Sequence, residues 1–452
     1  MLRNPEIVST RQQRIAELAK RDPQRGLTSL NHHLDLSWLH EAYRRTRKDG
    51  APGVDGQTAA LYEQDLESNL RSLLERAKSG AYKAPPVRRV HIPKGTGKET
   101  RPIGIPTLED KILQRAVVMI LEPIYEQDFK DCSFGFRPGR SAHQALDCLW
   151  RQTMQGGGGW VLEVDIRKYF DTLDRTHLRE LLRRRMRDGV LLRLIGKWLN
   201  AGVLEEGILT YPEAGTPQGG VISPLLANMY LHYVLDEWFE RDVRVRLKGR
   251  SFLIRYADDF VIGFADHTDA QRVMAVLPKR FGRYGLTIHP DKTRLVPFHR
   301  PARCEAGPRA VPGPGTFEFL GFLHHWGRSR NGNWVVKRKT AANRFTRALR
   351  TTAQWCRFNR HRPVAEQHRA LSQKLRGHYA YYGITGNALS ISNFANEVRR
   401  VWRKWLARRN RQRQMPWTLF NELLKRYPLP RAVVVHSVYR AQRNRDLRSR
   451  MR

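Results

Sequence analysis

The sequence predicts an α+β fold followed by a largely helical, strongly basic region. Apolar runs of strand length alternate with helix-spaced segments through about residue 340, the mixture that builds a sheet with helices packed on it. Two of those runs, Val161–Ile166 and Phe252–Phe264, each deliver carboxylates to a strand end. Beyond residue 340 the pattern turns helical and rich in Arg, which sets a second region apart from the first.

Residues 1–40 read as a polar, helical extension ending near Leu34–His40. Asp49–Gly56 is turn chemistry, and Leu61, Leu66, Leu70, Leu73 and Leu74 then recur at helical spacing up to Ala77. Val87–Lys94 reads as a strand and Arg101–Pro106 as its return, joined by the Gly-rich turn Gly95–Thr100. That turn lacks the G-x-x-x-x-G-K-[ST] spacing and a helix directly after it, so it is no P-loop. Helical segments dominate Leu108–Arg151, Gly156–Gly159 is linker-like, and Val161–Ile166 is a short buried strand. Helices follow to about Asn200, a Gly- and Pro-containing loop spans Gly215–Pro224, and a helix spans Leu225–Glu240. The acidic hairpin comes next, and the mainly helical C-terminal region begins after residue 340.

The 452 residues suffice for roughly two to four domains. No apolar stretch reaches the roughly 18 residues of a membrane span, and the N-terminus carries no apolar signal core. A cytoplasmic protein with no membrane partner is the expectation. Cys132, Cys148, Cys304 and Cys356 are too scattered for a C-x-x-C zinc site and too few to staple the chain, so reduced thiols are expected.

The net charge is +38, from 81 Lys and Arg against 43 Asp and Glu. Residues 341–452 hold 26 of the basic residues and 4 of the acidic ones, a net +22 that leaves +16 for the rest. Over half the excess thus sits in the last quarter, interleaved with Trp355, Tyr379, Tyr381, Tyr382, Trp402, Trp405 and Trp417. That combination suits a folded nucleic-acid-binding region better than a disordered tail.

The chemistry concentrates on the acids. Tyr256-Ala-Asp-Asp259 puts two adjacent carboxylates at a hairpin turn, where they repel each other unless a cation neutralises them. Asp165 ends the other apolar strand, where an acid is costly unless it is paired or binds metal. Mg²⁺ is held by one or two carboxylates plus substrate phosphates, and two ions about 4 Å apart suit transfer of a nucleotidyl group. An ordinary Asp-containing turn is the bland alternative for the hairpin.

With these residues in hand, the chain resembles the group II intron reverse transcriptase/maturase family. The resemblance rests on an ordered series: Gly53–Gly56, Arg101–Pro106, Ser133–Pro138, the Asp165 strand, Pro217–Gly219, Tyr256–Asp259, Gly285–Lys292 and Phe319–Phe322. It implies a right-hand polymerase with fingers and palm over residues 41–335, after the extension 1–40. A helical thumb would follow over 336–405, and a basic maturase-specific region over 406–452.

The resemblance implies an RNA-directed DNA polymerase that also binds intron RNA and assists splicing and mobility. Asp165, Asp258 and Asp259, with the backbone carbonyl of Ile166, would hold two Mg²⁺ ions, for which Mn²⁺ could substitute. Lys94, Arg101, Gln218 and Lys292 would contact the dNTP, and Phe170 would exclude a 2′-hydroxyl. Phe319, Leu320, Gly321 and Phe322 would form a primer grip, although a plain buried strand reads the same. Arg399, Arg400, Arg403, Lys404, Arg408 and Arg409 would bind RNA. The implied partners are group II intron RNA, an RNA template with its DNA primer, a DNA target and dNTPs.

Longer family members add a Cys/His-bearing H-N-H nuclease domain after the maturase region, and the sequence to Arg452 carries no such motif. The expectation is a bacterial, nucleoid-associated protein whose primer comes from elsewhere, such as a nascent strand at a replication fork. Two other readings stay open: an RNA-binding splicing cofactor with a vestigial polymerase, and a reverse transcriptase domesticated for defence or repair.

Overall fold

The computed structural model describes residues 5–93, 100–211, 214–215, 219–301, 315–409 and 414–437. Two compact units divide the chain, one from Met1–Ala145 with Val164–Leu295, the other from Leu146–Glu163 with Val296–Arg452.

The first unit opens with four helices, α1 (Pro5–Arg21), α2 (Leu36–Arg45), α3 (Ala59–Gln64) and α4 (Leu66–Ser79). Asp35 starts α2 by accepting the Trp38 N–H, and Gly80 ends α4 at a φ of 87°. β1 (Val87–Pro93) and β2 (Thr100–Ile105) form the hairpin the sequence predicts, paired from Arg88↔Ile105 to Pro93↔Thr100. Lys94 and the turn Gly95–Glu99 lie outside the described residues. α5 (Leu108–Asp128), capped by Thr107 and buried along much of its length, precedes a loop over 129–141. The helical stretch expected from Leu108 to Arg151 is therefore two helices, the second being α6 (Ala142–Gln155). Pro138 and the positive φ of Phe136 and Gly139 break it.

β3 (Trp160–Val164) delivers Asp165 at its end, as its sequence predicts. α7 (Tyr169–Thr172), α8 (Arg175–Arg185) and α9 (Gly189–Leu199) follow. β4 (Val203–Glu205) and β5 (Ile208–Thr210), unanticipated from sequence, extend the first hairpin into a sheet of order β2-β1-β4-β5. Three-residue strands are too short to register a period of two. α10 (Ser223–Leu231) continues as π-helical turns over His232–Asp236 and Phe239–Val243, so the helix expected at Leu225–Glu240 is present but partly wound more loosely. β6 (Ser251–Tyr256) and β7 (Asp259–Phe264) are the acidic hairpin, followed by α11 (His267–Gly282) and β8 (Arg294–Pro297). The central sheet has the order β6-β7-β3-β8.

In the second unit, β9 (Phe317–Phe319), β10 (Phe322–Arg328) and β11 (Trp334–Thr340) make an antiparallel sheet of order β11-β10-β9. Among the described residues four helices follow, α12 (Ala342–Phe358), α13 (Val364–Tyr382), α14 (Ala388–Ala407) and α15 (Trp417–Arg426). The division drawn at residues 335/336 falls inside β11. Leu371, Leu375, Ile391, Phe394, Val398, Trp402 and Phe420 form the core of this helical part. Trp402, fully buried with its indole N–H on the Gln367 side-chain oxygen at 3.0 Å, is thus a packing residue, and Tyr379 is buried beside it in the same core. No helix among the described residues is long and apolar enough to cross a membrane.

Candidate active site

The β6–β7 register ends at Tyr256↔Asp259, so Ala257 and Asp258 alone make the turn. Ala257 has a φ of 58°, the left-handed conformation such two-residue turns require. Asp258 is half-buried at the tip and Asp259, which opens β7, is exposed. Burial holds the Asp258 carboxyl above the ordinary carboxylate range. The Asp165 charge adds to the rise, while Asp258's own N–H, Arg101 and Arg255 oppose it. Asp165, at the end of β3, and Arg101, on β2 of the other sheet, therefore both stand within electrostatic reach of Asp258.

A buried network that sequence reasoning missed sets the turn from beneath. Arg255 is fully buried and donates to both Asp236 oxygens, at 2.7 and 2.5 Å. Its remaining nitrogen donates to Asn228 Oδ1 at 2.9 Å and to the Ala257 carbonyl at 3.0 Å. Asn228 in turn donates to the Gly135 carbonyl at 2.5 Å. A Cβ on Gly135 would collide with the backbone of Tyr256 and Ala257, so the glycine of Ser133–Pro138 lets one loop lie flush on the turn. Arg137 anchors that loop, donating to Glu126 and to the carbonyls of Lys130 and Ser133.

On the β3 side, His289 N–H donates to the Asp165 carbonyl and Arg167 N–H to the Thr287 carbonyl, both at 2.8 Å, flanking the Ile166↔Ile288 bridge. In such a pair the Ile166 N–H and C=O point away from the 287–289 segment. Lys292, in the 3₁₀ turn Pro290–Lys292, places Nζ 2.9 Å from Asp165 Oδ2. Arg101 is exposed on β2 opposite Ile92. Phe170 is half-buried in α7, edge-on to Tyr169, whose hydroxyl donates to the Ala227 carbonyl at 2.6 Å. Gln218 lies outside the described residues; its neighbour Gly219, at a φ of 116°, runs so close to the Gly104 carbonyl of β2 that a Cβ would not fit.

Among the described residues no three His, Cys, Asp or Glu side chains stand together as a ready metal cluster. The donor set still fits a hard cation, because Mg²⁺ needs only one or two carboxylates when substrate phosphates complete its shell. The pairing of Asp165 with an ammonium group shows that a positive charge is accommodated there.

In the second unit, Leu320 and Gly321 make a two-residue turn with φ of 51° and 77° between the buried rings of Phe319 and Phe322. The Tyr381 hydroxyl donates to the Leu320 carbonyl at 2.9 Å, and Phe322 packs on Tyr381 and Tyr382. Of the basic residues on and after α14, Arg399 is half-buried and Arg400 pairs with Glu397 at 2.6 Å. Arg403 donates to the Met415 carbonyl at 2.7 Å and lies over Trp417. Arg409 ties down the carbonyls of Arg360 and Arg362. Lys404 and Arg408 are exposed.

Carboxylates thus stand at the end of a central strand and at an adjacent hairpin turn, with Lys292 and Arg101 near them. Residues 92–324 match the family described as reverse transcriptase (RNA-dependent DNA polymerase). The chain is 39% identical over 328 residues to protein YkfC of Escherichia coli, covering 64% of this chain and 84% of that one. It is 46% identical over 166 residues to the group II intron-encoded protein LtrA of Lactococcus lactis, covering 37% of this chain and 27% of that protein. A 91 kDa protein in the cob intron of Schizosaccharomyces pombe is 31% identical, over 50% of this chain and 34% of that one. The chain belongs to the reverse transcriptase family and carries the fingers and palm of that fold.

Proposed function

We propose that the chain extends a DNA primer along an RNA template from dNTPs, and that it binds group II intron RNA to assist splicing and mobility. The observation that carries the reading is the meeting of Asp165 and Asp258 at one edge of the palm sheet, with Lys292 and Arg101 set against them. Asp165, Asp258 and Asp259, with the Ile166 carbonyl, are the groups that would hold two Mg²⁺ ions or Mn²⁺ in their place. Such ions supply a lowered pKa for the primer hydroxyl and charge stabilisation on the transferred phosphate.

The protein's own groups then position and neutralise. Lys292 exchanges Asp165 for the phosphates of the incoming nucleotide, and Arg101 and Lys94 grip the triphosphate from the fingers hairpin. Gln218 orients the nucleotide, and the Phe170 ring fills the space a 2′-hydroxyl would take. Leu320 and Gly321, in the turn clasped by Tyr381, present backbone to the primer, and the helices after β11 serve as thumb and maturase surface.

The test is primer extension on an RNA template. Asp258→Ala is expected to lower extension by about 10³-fold or more, as loss of a group that stabilises transition-state charge does, while RNA binding measured in chelator is unchanged. Retained synthesis in that variant would sink the assignment. Binding and splicing assistance persisting without any wild-type extension would favour a cofactor with a vestigial polymerase.

A further inference from the structure

The helical unit carries a groove of about 490 Å³ lined by Arg357, Arg360, Trp405 and Arg408. Arg357 is on the last turn of α12, Arg360 follows in the loop, Trp405 is near the end of α14 and Arg408 caps it. The Arg408 guanidinium lies 4.8 Å from the Trp405 ring centroid and that of Arg357 lies 6.0 Å from it. Neighbouring arginines find carboxylates, Arg362 with Glu366 and Arg400 with Glu397. Among the described residues Arg357, Arg360 and Arg408 form no ion pair.

The Arg357 and Arg408 guanidinium groups stand against one ring, and Arg360, which donates to the Arg357 carbonyl and to His361 Nε2, lines the same groove, so like charges are gathered there and repel one another. Contact with the ring, worth about 0.5–1 kcal/mol at an exposed site, leaves their charge intact. An anion removes the repulsion, and planar guanidinium forks fit the paired oxygens of a phosphate. Phe358, next in the chain to Arg357, is 80% exposed and leaves an aromatic face open. A duplex keeps its bases stacked inside and cannot cover that face, whereas a splayed strand can.

We infer that this groove binds the phosphodiester of a nucleic-acid strand whose neighbouring base is unstacked and lies on Phe358. The inference deepens the proposed function and rests on it only for the origin of the strand, since single-stranded RNA and single-stranded DNA share this chemistry.

The experiment uses the full chain and a single-stranded oligonucleotide of about 12 residues carrying 5-iodouracil, a length within the usual footprint of a stacking site. Irradiation followed by peptide mapping reads which aromatic ring the base touches. Attachment at Phe358 or Trp405 is expected, falling roughly fivefold or more in Phe358→Ala, the low end of one base–aromatic stack. Arg357→Gln should flatten the log–log salt dependence of binding by about 0.7, one single-strand phosphate contact. Attachment confined to other segments, or wild-type yields from both variants, overturns the inference. So does an equal loss of double-stranded RNA binding, because a duplex offers no free base. Stronger attachment with the RNA oligonucleotide assigns the groove to template or intron RNA, and with the DNA oligonucleotide to primer or target; either supports it. Primer extension by the same wild-type preparation reports separately on the polymerase: its absence with attachment intact sinks that reading and not the groove.

Discussion

Ala257 holds a backbone conformation that costs an L residue about 1–2 kcal/mol, and Arg255 is what makes it hold. One guanidinium nitrogen bonds the Ala257 carbonyl while the others are fixed on Asp236 in a fully buried pair. Asp236→Asn would leave the Arg255 charge buried with half its partner, so a loss of up to about 3–5 kcal/mol in urea unfolding is expected. The double change Asp236→Leu with Arg255→Met should recover stability but not primer extension, because no donor remains for Ala257. Recovery of both would mean that the pair serves packing alone. Phe170→Ala should relax discrimination against rNTPs by about 1–3 kcal/mol, read as the ratio of kcat/KM values for rNTP and dNTP. An unchanged ratio would remove the gate. Asp165, Asp258 and Asp259 were legible in the sequence because an acid at the end of an apolar strand is expensive and demands a reason. Asn228 and Asp236 were not, because each reads as an ordinary polar residue of a helix and meets Arg255 only across 27 and 19 residues of chain.

Hairpins made of apolar runs with turn residues between them were readable as elements. β1–β2 and β6–β7 stand where the apolar runs and turns place them, whereas β4–β5 and the sheet of β9, β10 and β11 acquire strand character only from their partners. The start of α5 shows a constraint that no pattern discloses. Asp110, in its first turn, is buried and accepts hydrogen bonds from Tyr82 and, at 3.0 Å, from the Trp198 indole. Burial raises its carboxyl to about 6 despite those donors. A folded-state pKa above the unfolded value means that its stabilising share is complete below about pH 4 and is lost as pH rises through about 6. The shift corresponds to a difference on the order of 3 kcal/mol across that window. Asp110→Asn should therefore flatten the stability profile between about pH 4 and 6, measured by urea melts at fixed ionic strength. An unaltered slope would show that another group carries the titration.

Over the whole molecule, the net charge of +38 does not translate directly into nucleic-acid contacts, because part of it is consumed by the fold. Arg409 is spent on the carbonyls of Arg360 and Arg362, Arg403 on that of Met415, and Arg185 on those of Ala19, Asp22 and Arg25. The sequence disclosed where the charge accumulates but not which cations remain for a ligand, since that depends on carbonyls left over at helix ends and turns. The structure therefore sorts the basic residues into two kinds with different signatures. Exposed Lys404 and Arg408 should act through counterion release, so Lys404→Gln and Arg408→Gln should each flatten the log–log salt dependence of RNA binding by about 0.7. With roughly 6–10 such contacts, wild-type affinity should fall about 10²–10⁴-fold between about 50 and 200 mM salt. Arg409→Gln should leave the slope unchanged and lower the melting temperature instead, because its guanidinium bridges the α12–α13 loop to the end of α14. If Arg409→Gln flattens the slope as much as Arg408→Gln does, with no change in melting, the division between structural and ligand-facing cations fails, and formal charge is the better guide to the binding surface.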